Sequence, residues 1–118
     1  MEEKTIKELA IELTVEVTKL CDAAKAKSVF TNQLLRSCSS IGANAHEAKY
    51  AHSRADFISK LEISLKECYE TEYWLELMKR AGLLTTTTAS PLVHDCGSIR
   101  RMLISSINTA KKNQSKDQ

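Results

Sequence analysis

Apolar residues recur along this chain at intervals of three and four in four separate stretches, the period of helices that bury one face. In the first, Ile6, Leu9, Leu13, Val17, Leu20 and Ala24 share a seam, and Thr5 with Glu8 three places on offers a capping box. This predicts a helix over 5–27. Leu34, Cys38, Ile41, Ala45 and Ala48 follow, with Thr31 as N-cap, predicting a second helix over 31–51. Ser53 and Asp56 form another cap, after which Phe57, Leu61, Ser64, Cys68, Thr71, Leu75 and Met78 hold a heptad spacing. Lys79 and Arg80 suit the last turn, Gly82 the left-handed stop and Leu83 the hydrophobic contact beyond it, so the third helix spans 53–81. After a polar loop from Thr85 to Thr88, Ser90-Pro91 reads as an N-cap with Pro at the first helical position. Leu92, Cys96, Ile99, Leu103, Ser106 and Ala110 carry a fourth helix over 90–113, leaving 114–118 as a flexible tail.

Four helices with short joints make an all-α, antiparallel up-down-up-down four-helix bundle, because a short connection turns each helix back beside the last. The whole chain, 1–118, reads as that single domain. A helix of about 24 residues is about 36 Å long, which makes the molecule a slender rod. Slender rods bury little core per residue, so such a chain gains by associating sideways.

The second helix sharpens that expectation. From Thr31 to His46 its only formal charge is Arg36, whereas a helix facing water normally carries a charged face. Gln33, Ser37, Ser40, Asn44 and Glu47 form a second seven-residue repeat of short, mostly neutral, hydrogen-bonding side chains. Ser40, Gly42 and Ala43 would let another backbone approach closely. The repeat therefore predicts an oligomer interface or a buried polar network, the competing reading being a solvated face that lacks charge.

Composition narrows the chemistry. With 118 residues, one Pro, three Gly and 27% charged residues, the chain has the make-up of one helical domain. No run of about 18 apolar residues occurs, and the charged Met1 to Leu9 segment lacks a signal peptide's apolar core, so a cytoplasmic protein with no membrane partner is expected. Cys21, Cys38, Cys68 and Cys96 are widely spaced and read as reduced core residues. No Glu has a His three places later, as di-metal bundles require, and His46-Glu47 lacks the second His that a zinc-protease helix would need at Tyr50. The glycines stand alone, without a phosphate loop. We expect no catalytic, metal or cofactor site and no enzymatic activity. Tyr69, Tyr73 and Trp74 form an aromatic group that suits either base stacking or packing.

Net charge is only +2, but its distribution is uneven. One end of the bundle gathers Lys19, Lys25, Lys27, Arg36, Lys79 and Arg80 against Asp22, Glu76 and Asp95. The fourth helix adds Arg100, Arg101, Lys111 and Lys112, with Lys116 and Asp117 in the tail. These ten cations before the tail are candidate nucleic-acid contacts, and a ring of copies would multiply their potential. The competing reading is that they satisfy helix dipoles and the glutamates of the third helix.

Several of these residues carry a resemblance. Gln33-Leu34-Leu35-Arg36-Ser37, Ser40-Ile41-Gly42-Ala43-Asn44 with Glu47-Ala48, Phe57-Ile58, Leu61-Glu62, Glu70, Trp74-Leu75 and Ala81-Gly82-Leu83 resemble the bacterial four-helix-bundle family encoded in intervening sequences of large-subunit ribosomal RNA genes. More distantly, that family includes the accessory variability determinant proteins of diversity-generating retroelements. The chain departs from the pattern at Glu47-Ala48-Lys49, where family members often carry Glu-Gly and a basic residue, and it lacks the Pro common between the first two helices. The resemblance implies a homopentameric ring of bundles without enzymatic activity, with Asn44 and Glu47 as structural residues. In the accessory members it further implies RNA or DNA and a reverse transcriptase as partners, bound through a basic surface. Two functions follow as expectations: a self-assembling scaffold that binds nucleic acid, or a protein–protein interaction module with no nucleic-acid role.

Overall fold

The computed structural model describes residues 3–23 and 29–116, with the side chain of Lys116 left aside. Its elements are four helices in chain order: α1 (Ile6–Ala23), α2 (Val29–Ala48), α3 (Arg54–Arg80) and α4 (Thr86–Lys116). The capping chemistry explains most of their ends. Thr5 Oγ1 accepts from the Glu8 N–H at 3.1 Å while the Glu8 carboxylate accepts from the Thr5 N–H at 3.2 Å, closing the box at the head of α1. Ser53 Oγ accepts from the Asp56 N–H at 3.1 Å to open α3, and the Asp56 carboxylate reaches back to the His52 N–H at 3.2 Å. At the other end of α3, Gly82 takes φ +78°, and the Leu83 N–H donates to the Met78 carbonyl at 2.9 Å, as a left-handed stop requires.

The bounds of α2 and α4 differ from the sequence expectation of 31–51 and 90–113. α2 begins at Val29, so Thr31 is a buried position inside the helix and not its cap. α4 begins at Thr86: Thr85 Oγ1 accepts from the Thr88 N–H at 3.1 Å, and Ser90-Pro91 lies more than a turn inside the helix. Pro91 is the sixth residue of α4, past the four N–H groups that need no intrahelical acceptor, so it has no N–H to give the Thr87 carbonyl and costs the helix one ladder bond. α4 also continues through the segment expected to fray, as far as Lys116. Ala24 lies outside the described residues.

Contacts between helices fix their directions. Thr14 meets Cys38 and Cys21 meets Thr31, so α1 and α2 run antiparallel. Ser37 meets Thr71 and Glu47 meets Lys60, which sets α3 antiparallel to α2. Cys96 meets Cys68 while Lys111 meets Glu62, reversing α4 against α3. Among the described residues each helix packs on its neighbours in sequence and α4 closes on α1, while the backbones of the diagonal pairs stay further apart, which is a square up-down-up-down bundle. Its principal extents of 53 × 32 × 21 Å are those of a rod.

The core is the set of seams read from the period. Leu13 and Val17 of α1, Leu34, Cys38 and Ile41 of α2, Leu61, Cys68, Leu75 and Met78 of α3, and Leu92, Cys96, Ile99 and Leu103 of α4 are all buried. Ile107 is buried where Ser106 was expected, and Ile58 lies deeper than Phe57, each a shift of one position at a helix end. Cys21, Cys38, Cys68 and Cys96 are free and buried.

A candidate self-association surface

The uncharged character of α2 has two structural sources. Its inward side packs within the chain: Ser37 is fully buried against α3, where its hydroxyl lies 3.0 Å from Thr71 Oγ1 and donates to the Leu34 carbonyl at 3.2 Å. Ser64 of α3, also fully buried, donates to the Ile41 carbonyl at 2.7 Å. These hydroxyls form a hydrogen-bonded layer inside one bundle, and no buried side-chain N or O atom among the described residues lacks a partner.

The rest of the polar repeat has other surroundings. Gln33 is half-buried and accepts from Arg36 Nε at 2.9 Å. Ser40 and Asn44 are half-buried, and the Asn44 amide donates to the Ser40 carbonyl of its own helix at 2.9 Å. Glu47 is exposed and pairs with Lys60 at 3.4 Å. The repeat thus joins only Ser37 to the core network, leaving Asn44 and Glu47 on the rim.

The outward side of α2 meets α1 along an open groove of about 340 Å³ lined by Ala10, Ile11, Thr14, Val15, Ser39 and Gly42, with Ala43, Thr18 and Lys19 at its edges. Small residues make its floor. A Cβ built on Gly42 would stand 3.2 Å from Ala10 Cβ, so the absence of that carbon is what lets α1 and α2 approach this closely. Ile11 and Val15 stand on the α1 wall, 50% and 46% exposed. Their part in this surface was missed in the sequence, although two β-branched apolar residues one turn apart and off the Leu13–Val17 seam were a readable signal.

Cations are mostly answered by carboxylates. Arg36 bonds both Glu67, at 3.3 Å, and Glu70, across the α2–α3 interface. Arg100 Nε lies 2.8 Å from Glu72, which holds the guanidinium pKa above its ordinary value. Arg80 pairs with Glu76 at 2.8 Å, Lys111 with Glu62 at 3.7 Å and Lys19 with Glu16 at 3.5 Å. Among the described residues Lys79, Arg101 and Lys112 have no carboxylate within bridging distance, and Arg101 donates instead to Ser98 Oγ at 3.2 Å. Lys25 and Lys27 lie outside the described residues. The aromatic group divides as well. Trp74 turns inward, its ring 6.0 Å from Phe30 and its N–H donating to Glu70 at 3.1 Å, whereas Tyr69 and Tyr73 are exposed.

The thiols are in apolar surroundings that suppress reactivity. Burial pushes Cys38 up to about 11, and its neighbour Cys68 together with burial also raises Cys96, whose thiol donates to the Cys68 carbonyl at 3.5 Å. Among the described residues no group of three His, Cys, Asp or Glu side chains could hold a metal ion, and no helix is long and apolar enough to cross a membrane.

Comparison with known proteins places this geometry. The structure superposes with a TM-score of 0.83 on a crystal structure from Bacteroides thetaiotaomicron, described as a protein of unknown function from the S23 ribosomal protein family. The two are 42% identical over 87% of this chain and 98% of the other. No curated protein matches the sequence. A family profile described as 23S rRNA-intervening sequence protein matches residues 2–105, and the chain belongs to that family.

Proposed function

We propose that the chain is a non-enzymatic scaffold that self-assembles through the α1–α2 groove and offers cations of α4 to nucleic acid. The observation that carries this reading is the groove itself, a small-residue floor beneath two exposed β-branched side chains, with Lys19 its only charged lining residue. Water gains little from such a surface, and a second copy gains apolar burial worth roughly 25 cal/mol per Å². Arg101 and Lys112 support the nucleic-acid part, since neither is neutralised within the bundle, and an assembly repeats them once per copy. The pentamer number and partnership with a reverse transcriptase rest on family resemblance alone.

The alternative, a self-assembling module whose client is a protein, is favoured by a specific observation: Lys19, Arg36, Arg80, Arg100 and Lys111 are already paired with carboxylates. Two measurements separate the readings. Light scattering gives the assembled mass, expected as a multiple of the 13.2 kDa chain. Binding of RNA and DNA across a salt series is expected to weaken steeply with salt, and binding that is absent at low salt leaves only the protein-client reading.

A further inference from the structure

We propose that the outer face of α3 and α4 binds single-stranded nucleic acid, its bases stacking on Tyr69 and Tyr73 while Lys66 and Arg101 hold phosphates; this rests on the nucleic-acid part of the reading above. Tyr69 and Tyr73 stand one turn apart on α3, 51% and 56% exposed. The core takes Trp74 from this aromatic group and leaves the two tyrosines in water. Tyr73 meets the Trp74 ring in an edge contact with centroids 5.0 Å apart, and the Arg100 guanidinium stands 6.0 Å over the Tyr69 ring. Each ring is thus steadied by a neighbour while its residue stays half-exposed.

Charge is arranged around these rings. Every glutamate of α3 is already answered: Glu62 by Lys111, Glu67 and Glu70 by Arg36, Glu72 by Arg100 and Glu76 by Arg80. Lys66, one turn before Tyr69, and Arg101 are exposed and, among the described residues, bridge to no carboxylate. A Cβ built on Gly97 would lie 3.4 Å from a guanidinium nitrogen of both Arg100 and Arg101, so the two heads come together over that glycine. Glu72 neutralises the first, and the second leaves an unanswered positive charge on the Tyr69 side of α4. His94, Ser105, Asn108 and Lys112, all exposed, share one face of α4 with Arg101 at helical spacing, with no carboxylate among them.

Unpaired cations beside exposed rings are what a single strand needs. Its phosphates go to the cations, and its bases stack on the rings whatever their sequence, because every base has a π face. A duplex keeps those faces inside its own stack, so the tyrosines offer it nothing and only the charge remains. The site therefore discriminates by strandedness and not by sequence.

The test is fluorescence anisotropy at low salt with labelled oligouridylate and oligothymidylate, each single-stranded and annealed to its complement. The single strands are expected to bind more tightly than the duplexes. Tyr73→Leu keeps apolar bulk without a π face; it is expected to weaken single-strand binding roughly 5- to 100-fold, the span that stacking of one base covers, and to leave duplex binding unchanged. Tyr73→Phe is expected to bind as the wild type does. The position is exposed, so circular dichroism of both variants should match the wild type. As a measure independent of affinity, a strand carrying iodouridine is expected on irradiation to attach to the peptide that holds Tyr69 and Tyr73. Failure of every oligonucleotide to bind at low salt overturns the nucleic-acid reading and this proposal together. Single strands that bind no tighter than duplexes, that Tyr73→Leu holds as tightly as the wild type does, or that cross-link only elsewhere overturn the stacking site alone.

Discussion

The hydroxyls of Ser37 and Thr71 lie 3.0 Å apart, both fully buried, and join α2 to α3 at mid-height of the bundle. Ser37 gives its one proton to the Leu34 carbonyl and accepts from Thr71, whose own proton is shared between Ser37 Oγ and the Glu67 carbonyl, so both polar groups are satisfied inside the core. Such a pair is costly to break from one side and cheap to remove from both. Thr71→Val and Ser37→Ala are each expected to cost about 1 kcal/mol. The double variant should cost less than their sum, as urea unfolding of all four proteins would show.

Gly42→Leu should wedge α1 away from α2. The added side chain must enter space already held by Ala10, and overpacking of this kind typically costs 1–3 kcal/mol. It should also fill the groove, so loss of thermal stability and loss of assembled mass are expected together.

Glu47→Ala should separate the two roles expected of the polar repeat. Its partner Lys60 is 3.4 Å away on an exposed rim, a pair worth about 0–1 kcal/mol. The melting temperature of the variant is therefore expected to stay close to wild type. If assembled mass falls while the melting temperature holds, Glu47 acts between copies and not within one.

Alkali should weaken the fold through its thiols. Cys38 ionises near 9.0 when unfolded and at about 11 when buried, so the folded state holds its proton more tightly. That contribution is fully present below pH 9 and is lost as pH rises from 9 towards 11. Chemical denaturation across this window is expected to show falling stability, with a shallower slope in Cys38→Ala.

Arg101→Ala and Lys112→Ala should each reduce the salt slope of nucleic-acid binding by about 1 if the side chain touches a phosphate. Arg100→Ala should instead act on stability, because it leaves Glu72 without its partner. Fluorescence anisotropy across a salt series, beside thermal melts, distinguishes the two effects.

Local signals gave the helix ends that rest on neighbouring residues. The Thr5–Glu8 box, the Ser53 cap and the Gly82 stop each involve groups within five positions, and each formed as expected. The start of α4 was misplaced because Ser90-Pro91 carries the stronger local signature, yet Thr85 lies earlier and can cap just as well. What the period could not reveal was register. Whether Arg36 faces solvent or Glu70 depends on how α2 slides against α3, and the same holds for Arg100 and Glu72. The basic surface therefore looked larger in the sequence than it is in the folded chain.

The near-contact between Gly42 and Ala10 ties two distant codons together. A methyl group gained at position 42 would ask Ala10 to give by a few tenths of an ångström, a demand that loss of the methyl at position 10 removes, so the pair should tend to exchange Gly and Ala in concert during descent. Lineages that kept alanine at both would carry their first two helices a few tenths of an ångström further apart, and with them the wall against which a neighbour could settle.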